Sequence, residues 1–428
     1  MTENPNQSST NQHGSITIDS RADLSSGIAN PKLRRTLTLP LLSLYGLGVT
    51  VGAGIYVLIG ETASLAGPYA PAAFLLAAIV VGFTAFSYAE LATRFPVSAG
   101  EAAYVEAGLR RIWLARIVGL GVAISGIVSA SAVAIGAGGY LADLIGLSKN
   151  TLTVAVVLSM GVIAWWGITQ SVLMASVVTV IEIAGLGVVI FWGFWVAEPS
   201  GVVLAAMVPP MQGEYWIGIG AASLLAFFAF VGFEDMVNVA EEVKNPTKTL
   251  PRAITITLVV ATLFYVGVSC AVLFAVPVEV LTASDAPLML VFANGSSSVQ
   301  SGFAAVAVIA TVNGVLIQII MASRVLYGMA DRGQLPAILS RVSPLTRTPT
   351  VATVSVVLVI LFLTQALPIQ QLASYTSQIV LSVFIFVNIS LIAIKLRGDT
   401  GGDHFKTSLA IPVMGVLTSL ALFATSLL

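Results

Sequence analysis

Two stretches of this chain carry the residue types from which chemistry could be built. The first is Gly46, Gly48, Gly52 and Gly54, four glycines within nine residues, followed by Ile55 and Tyr56. They fall midway through an otherwise apolar run, where each costs a helix about 1 kcal/mol relative to alanine. The second is Phe230, Val231, Gly232 and Phe233, followed at once by Glu234 and Asp235. A helix interrupted inside an apolar run leaves unpaired amides on the half that starts at the break, and these suit a carboxylate. Carbonyls ending the other half suit an ammonium or a cation. The expected carboxylate donors are the amides of Ala53, Gly54 and Ile55. The expected amine acceptors are carbonyls near Thr50 and along Phe228, Ala229, Phe230 and Val231. A site offering both is matched to a zwitterion such as an amino acid.

A third candidate is Glu182, eleven residues into its own apolar run and so roughly 15 Å deep at about 1.5 Å per residue. Its neighbours Val180, Ile181, Ile183 and Ala184 are all apolar. An acid so placed either binds and releases a coupled proton or serves as a protonated structural tie. Other chemistries are disfavoured. His13 and His404 lie in a polar tail and a loop, Cys270 is a lone thiol in an apolar run, and neither a metal-ligand cluster nor a nucleophile–base spacing is visible. No Walker motif points to bound ATP. An enzyme is therefore not expected, nor a cofactor or metal.

The elements that must position these residues follow from composition. Of 428 residues 57% are hydrophobic and only 9% charged, with mean hydropathy +0.97. A soluble domain carries about 25% charged residues, so the expected solvent is lipid. Net charge is −1, which argues against nucleic acid. Apolar runs long enough to cross a bilayer occupy approximately 38–65, 71–93, 115–145, 151–168, 172–197, 215–239, 253–275, 301–327, 351–367, 371–394 and 407–428. Residues 1–36 read as a polar, disordered tail without the apolar core of a secretory signal. With that tail cytoplasmic, every Lys and Arg except Lys149 falls on the cytoplasmic side, as the positive-inside rule requires. Eleven passes then place the C-terminus outside. The first and sixth runs, both broken in the middle, occupy matching positions if the chain is two five-helix halves, 37–198 and 214–396, with 407–428 additional. Paired breaks of that kind point to an inverted-repeat transporter.

Four ordered motifs resemble the amino acid–polyamine–organocation (APC) transporters. They are residues 48–61 (GVTVGAGIYVLIGE) with 66–68 (AGP); 88–104 (YAELATRFPVSAGEAAY); 227–234 (FFAFVGFE) with 240–246 (AEEVKNP) and 250–254 (LPRAI); and Asn313-Gly314 with 324–336 (RVLYGMADRGQLP). The resemblance implies an all-α membrane protein with the leucine-transporter (LeuT) fold. That means five-plus-five inverted repeats, helices one and six unwound mid-membrane, and alternating access. It implies an amino acid or amine substrate at the cell membrane, leaning toward the cationic amino acid transporter and bacterial permease branches. Proton symport is the leading expectation, substrate exchange the alternative, and a channel or receptor a remote one. By the same resemblance Phe228 aligns with an aromatic gate over the substrate and Glu234 with an acid implicated in coupling. Glu182 stands where some relatives carry a lysine whose amine replaces a bound sodium. Tyr56 and Asn313 are further candidates for the cavity wall, and Glu90 reads as a structural partner of Arg94. Many relatives have twelve spans rather than eleven.

Overall fold

A computed structural model describes residues 35–96, 100–166, 172–398 and 402–427. The N-terminal tail before Arg35 lies outside the described residues. The order is α1 (Leu39–Thr50), α2 (Ala53–Ala66), α3 (Ala70–Arg94), α4 (Gly100–Leu109), α5 (Ile112–Ile145), α6 (Lys149–Trp166), α7 (Val172–Trp195), α8 (Gly213–Phe228), a 3-10 segment Phe233–Glu242, α9 (Pro246–Ala275), α10 (Val278–Thr282), α11 (Ser297–Asp331), α12 (Thr350–Ala366), α13 (Ile369–Leu396) and α14 (Ala410–Ala424). Among the described residues the only β pairing is an isolated bridge between Leu37 and Val243. Nine helical stretches among them are long and apolar enough to cross a membrane, and α1 and α12 are shorter apolar helices. Large apolar side chains such as Leu75, Ile79, Phe191, Trp195, Phe362 and Leu417 are exposed on the outside, the surface expected of a protein solvated by lipid tails.

The core is built around α1, α2, α5, α8 and α11. The two long helices α5 and α11 lie along each other, α13 flanks α5, α2 packs on α8, and α1 packs on α7 and α9. Small residues permit this closeness. Along α5, residues 129–139 are all buried and are mostly Ala, Gly and Ser, the composition favoured where membrane helices approach without a hydrophobic driving force.

Polar ties hold the ends. Glu90, on α3, is bound by Lys395 Nζ at 2.7–2.8 Å and by the amide and hydroxyl of Thr407, each at 2.7 Å. The Arg94 guanidinium lies 5.6 Å from the Phe95 ring centre. The tie joins α3, α13 and the segment entering α14. Arg397 donates to the carbonyls of Ala107 and Gly108, satisfying the orphan acceptors that end α4. At the opposite end Lys149 pairs with Asp285 at 2.6 Å.

Candidate functional site

Both interruptions expected from the glycines are present. α1 stops at Thr50 and α2 starts at Ala53, with Gly52 between them at φ −53, ψ −134. Gly52 has no side chain with which to cap α2, so the first amides of α2 have neither a preceding helical turn nor a side-chain cap. The second break runs from Ala229 to Gly232. Ala229, Phe230 and Val231 donate to the carbonyls of Ala226, Phe227 and Phe228 in successive tight turns. Gly232 then takes φ 121, a conformation L side chains rarely adopt. The chain continues as a 3-10 segment, not an α-helix. The Gly232 amide is held by Glu234 Oε2 at 2.8 Å.

The two breaks abut. A Cβ built on Gly54 would lie 2.5 Å from Ala229 Cα, and one on Gly232 would lie 2.6 Å from the Val49 carbonyl oxygen. Between them is a cavity of about 30 Å³ bordered by Thr50, Gly52, Gly54, Ser129, Phe228, Ala229, Val231 and Gln318, among others. That is room for a water or two, each needing about 10–15 Å³ on this measure, and not for an amino acid. The hydroxyl oxygen of Thr50 and the amide oxygen of Gln318 are buried there without a hydrogen-bond partner. A second cavity of about 620 Å³ shares Gly48, Val49 and Ile317 with the small one and extends past Thr179 and Asn313 to Glu101, Glu242, Arg324 and Arg332.

The eight expected contact residues divide. Thr50, Gly54, Phe228, Ala229 and Val231 border the small cavity, and Phe228 is only 3% exposed. Ile55 and Phe230 are fully buried and not part of its wall; the Phe230 ring packs on Tyr265 with centres 4.9 Å apart. Ala53 contributes its backbone position at the start of α2. The acceptor carbonyls are partly engaged: that of Phe228 takes the Val231 amide, while those of Thr50 and Ala229 both face the Tyr265 hydroxyl at 2.6 Å. Sequence reasoning missed Tyr265, because its role needs a meeting between α1, α8 and α9 that no local pattern encodes.

Glu182 is fully buried on α7. Its Oε1 lies 3.5 Å from Asn313 Nδ2 on α11, its backbone carbonyl accepts the Tyr56 hydroxyl at 2.9 Å, and its Oε2 has no partner. Tyr56 is itself fixed: its carbonyl accepts the Tyr140 hydroxyl at 2.6 Å and its ring stacks near Phe303. Asn313 borders the large cavity; Tyr56 is core.

Glu234 and Asp235 share a third cavity of about 20 Å³ with Tyr88, Ser125, Gln318 and Glu101. Glu101, near the start of α4, went unassigned from sequence. Only tertiary packing buries it, to 4% exposure, beside the Tyr88 hydroxyl at 3.3 Å. Burial pushes its carboxyl up to about 6, against the pull of its own backbone amide and of Tyr88. No cluster of three or more His, Cys, Asp or Glu suited to a metal occurs among the described residues.

An all-helical chain with an apolar exterior and two abutting helix breaks defines a multi-pass membrane protein with a buried polar site. The family model for amino acid permeases matches residues 39–428, and the chain belongs to that family, within the APC superfamily. It is 29% identical over 404 residues to the branched-chain amino acid permease BcaP of Bacillus subtilis (strain 168), covering 89% of this chain and 85% of that protein. It is 31% identical over 393 residues to the vacuolar cationic amino acid transporter 2 of Arabidopsis thaliana, covering 85% of this chain and 60% of that longer protein. It is 26% identical over 415 residues to the methylthioribose transporter of the same Bacillus strain, covering 92% and 87%.

Proposed function

We propose that this permease is a secondary transporter that carries an amino acid or related amine across the cell membrane by alternating access, in symport with a proton. The observation that carries the reading is the pair of abutting breaks: open α2 amides for a carboxylate, break carbonyls for an ammonium, and a roomy vestibule that shares Gly48, Val49 and Ile317 with the space between them. Other features support it. Counting α1 with α2 as one pass, dividing the 41-residue helical run Gly54–Arg94 at Gly67, and adding the shorter α12 to the nine long stretches gives eleven passes. That run would be about 60 Å long, twice the hydrocarbon thickness, and Gly67 has φ 56. The LeuT arrangement follows as two five-helix repeats, 37–198 and 214–396, with 407–428 added. With the N-terminus cytoplasmic the vestibule, which carries Arg324 and Arg332, faces inward, and the C-terminus lies outside.

Phe228 is the residue that closes over the substrate. Glu182 is the first candidate to hold the coupled proton, being buried with one unpartnered oxygen, and Glu234 is the second. A thermal-shift screen of the purified protein against the twenty amino acids and common polyamines would pick the ligand. Counterflow of that radiolabelled ligand in proteoliposomes then tests transport; absence of saturable counterflow for every stabilising ligand would refute the reading. An imposed pH gradient separates symport, where it drives accumulation in empty vesicles, from exchange, which needs substrate inside.

A further inference from the structure

We propose that the Tyr265 hydroxyl is an internal place-holder for the substrate's ammonium group, occupying the break carbonyls until an amine takes them over. The inference rests on the breaks being the substrate site and goes beyond that by naming the group the substrate competes with.

Tyr265 lies on α9, outside both broken segments, and is fully buried. Its hydroxyl oxygen is 2.6 Å from the Thr50 carbonyl, which ends α1, and 2.6 Å from the Ala229 carbonyl, which follows the end of α8. One side chain thus reaches the exposed acceptor ends of both interrupted helices. The phenol is held there by its ring, which packs against Phe74 and Phe230 with centres 5.7 and 4.9 Å away.

The chemistry of that contact is unbalanced. A phenol has one hydrogen to donate, and two carbonyls lie at hydrogen-bond distance from it. At any moment one of the two lacks its donor from this group. Each carbonyl also carries the partial negative charge of a helix C-terminus. An alkylammonium has three N–H donors and a full positive charge. It can satisfy both carbonyls at once, through charge-assisted bonds roughly twice as strong as neutral ones. Thr50 and Ala229 also border the small cavity between the breaks, so an amine seated there meets the same two residues. Without substrate, the phenol keeps two buried carbonyls from both standing unpaired, which would be costly, and holds the broken ends at a spacing fit for an amine. It is the weaker occupant by design of its chemistry.

This reading and a purely structural tie make opposite predictions. If Tyr265 only ties the breaks together, Tyr265→Phe loosens the site and binding weakens or stays the same. If the hydroxyl is a place-holder, Tyr265→Phe removes a competitor and leaves two carbonyls waiting for a donor. The net value of an ordinary hydrogen bond then predicts about two- to tenfold tighter binding of the amino acid, with a lower melting temperature of the substrate-free protein. A carboxylic acid of the same side chain but lacking the amino group should gain nothing.

The experiment uses the purified full-length protein and its Tyr265→Phe variant. Affinity is measured for the amino acid that stabilises the wild type and for its deaminated analogue. In parallel, methylammonium chloride is compared with tetramethylammonium chloride, which has the charge but no N–H. Methylammonium should raise the melting temperature of Tyr265→Phe more than that of the wild type, and tetramethylammonium should do so for neither. Equal or weaker amino acid binding by the variant, with no extra methylammonium effect, overturns the place-holder while leaving transport intact. Failure of every amino acid to bind or exchange refutes the transport reading instead, and the methylammonium comparison still decides the place-holder. Should Tyr265→Phe not fold, 3-fluorotyrosine at position 265 keeps the ring and a stronger donor. Weaker amino acid binding and a shifted fluorine resonance on adding it support the inference, and an unmoved resonance with unchanged affinity overturns it.

Discussion

The two helix breaks look equivalent in sequence, each an apolar run interrupted around glycine, yet they are finished differently. After the first, the chain resumes a full α-helix within two residues, and no side chain caps the amides that begin it. After the second, it continues as ten residues of 3-10 helix, and the Gly232 amide is already bound by the carboxylate of Glu234. Both breaks thus create an anion site, but one is left open and the other is filled by the protein's own acid. Under the proposed function two breaks of similar text divide the work: the first is the one open to a substrate carboxylate, while the second carries the protein's own.

The sharpest way to break this comparison is at the contact between the halves. Gly54→Leu is expected to abolish substrate binding, since even its Cβ would collide with the Ala229 backbone. Overpacking of this kind costs about 1–3 kcal/mol or more, so the melting temperature of the purified variant should drop as well. Wild-type affinity in a folded Gly54→Leu protein would disprove the proposed site.

Next in size is Glu182→Gln, which mimics the protonated acid next to the first break. The variant is expected to retain substrate exchange and to lose pH-driven accumulation. Unchanged proton-driven uptake would exclude Glu182 as the coupling group and move attention to Glu234.

A smaller effect is expected from Glu234→Ala at the second break. It frees the Gly232 amide, and the loss of a hydrogen bond to a charged or strongly polar acceptor is worth about 1.5–3 kcal/mol. Stability should fall by that order, while affinity for the substrate changes far less than in Gly54→Leu. Comparable losses of affinity in the two variants would show that the breaks do not divide the work.

The smallest effect concerns Glu101. Its carboxyl sits at about 6 in the folded protein, above its ordinary value of 4.5. Folding therefore favours the protonated acid, and this contribution is complete below pH 4.5 and lost as the pH rises through 6. It amounts to about 2 kcal/mol. Melting temperatures should fall more between pH 5 and pH 7 for the wild type than for Glu101→Gln. Parallel pH profiles would indicate that Glu101 keeps its ordinary acidity.

What the amino-acid sequence determined by itself is the part governed by local rules. Apolar run length and the scarcity of charge dictate membrane helices, and glycines in an apolar run dictate where a helix can stop. The breaks at Gly52 and Gly232, the family motifs and the burial of Glu182 were all legible for that reason. What only the tertiary structure decided are the meetings between distant segments. Glu90 pairs with Lys395 and Thr407, 305 and 317 positions away. Glu101 becomes a buried acid because α4 packs against α5 and α13, beside Tyr88 and the second break. Tyr265 reaches both broken ends from α9, beyond the 250–254 motif near the start of that helix. Hydrogen bonds and close packing act over about 3–4 Å in space, and residues 36 and 215 positions apart along the chain come within that distance only once the helices have assembled.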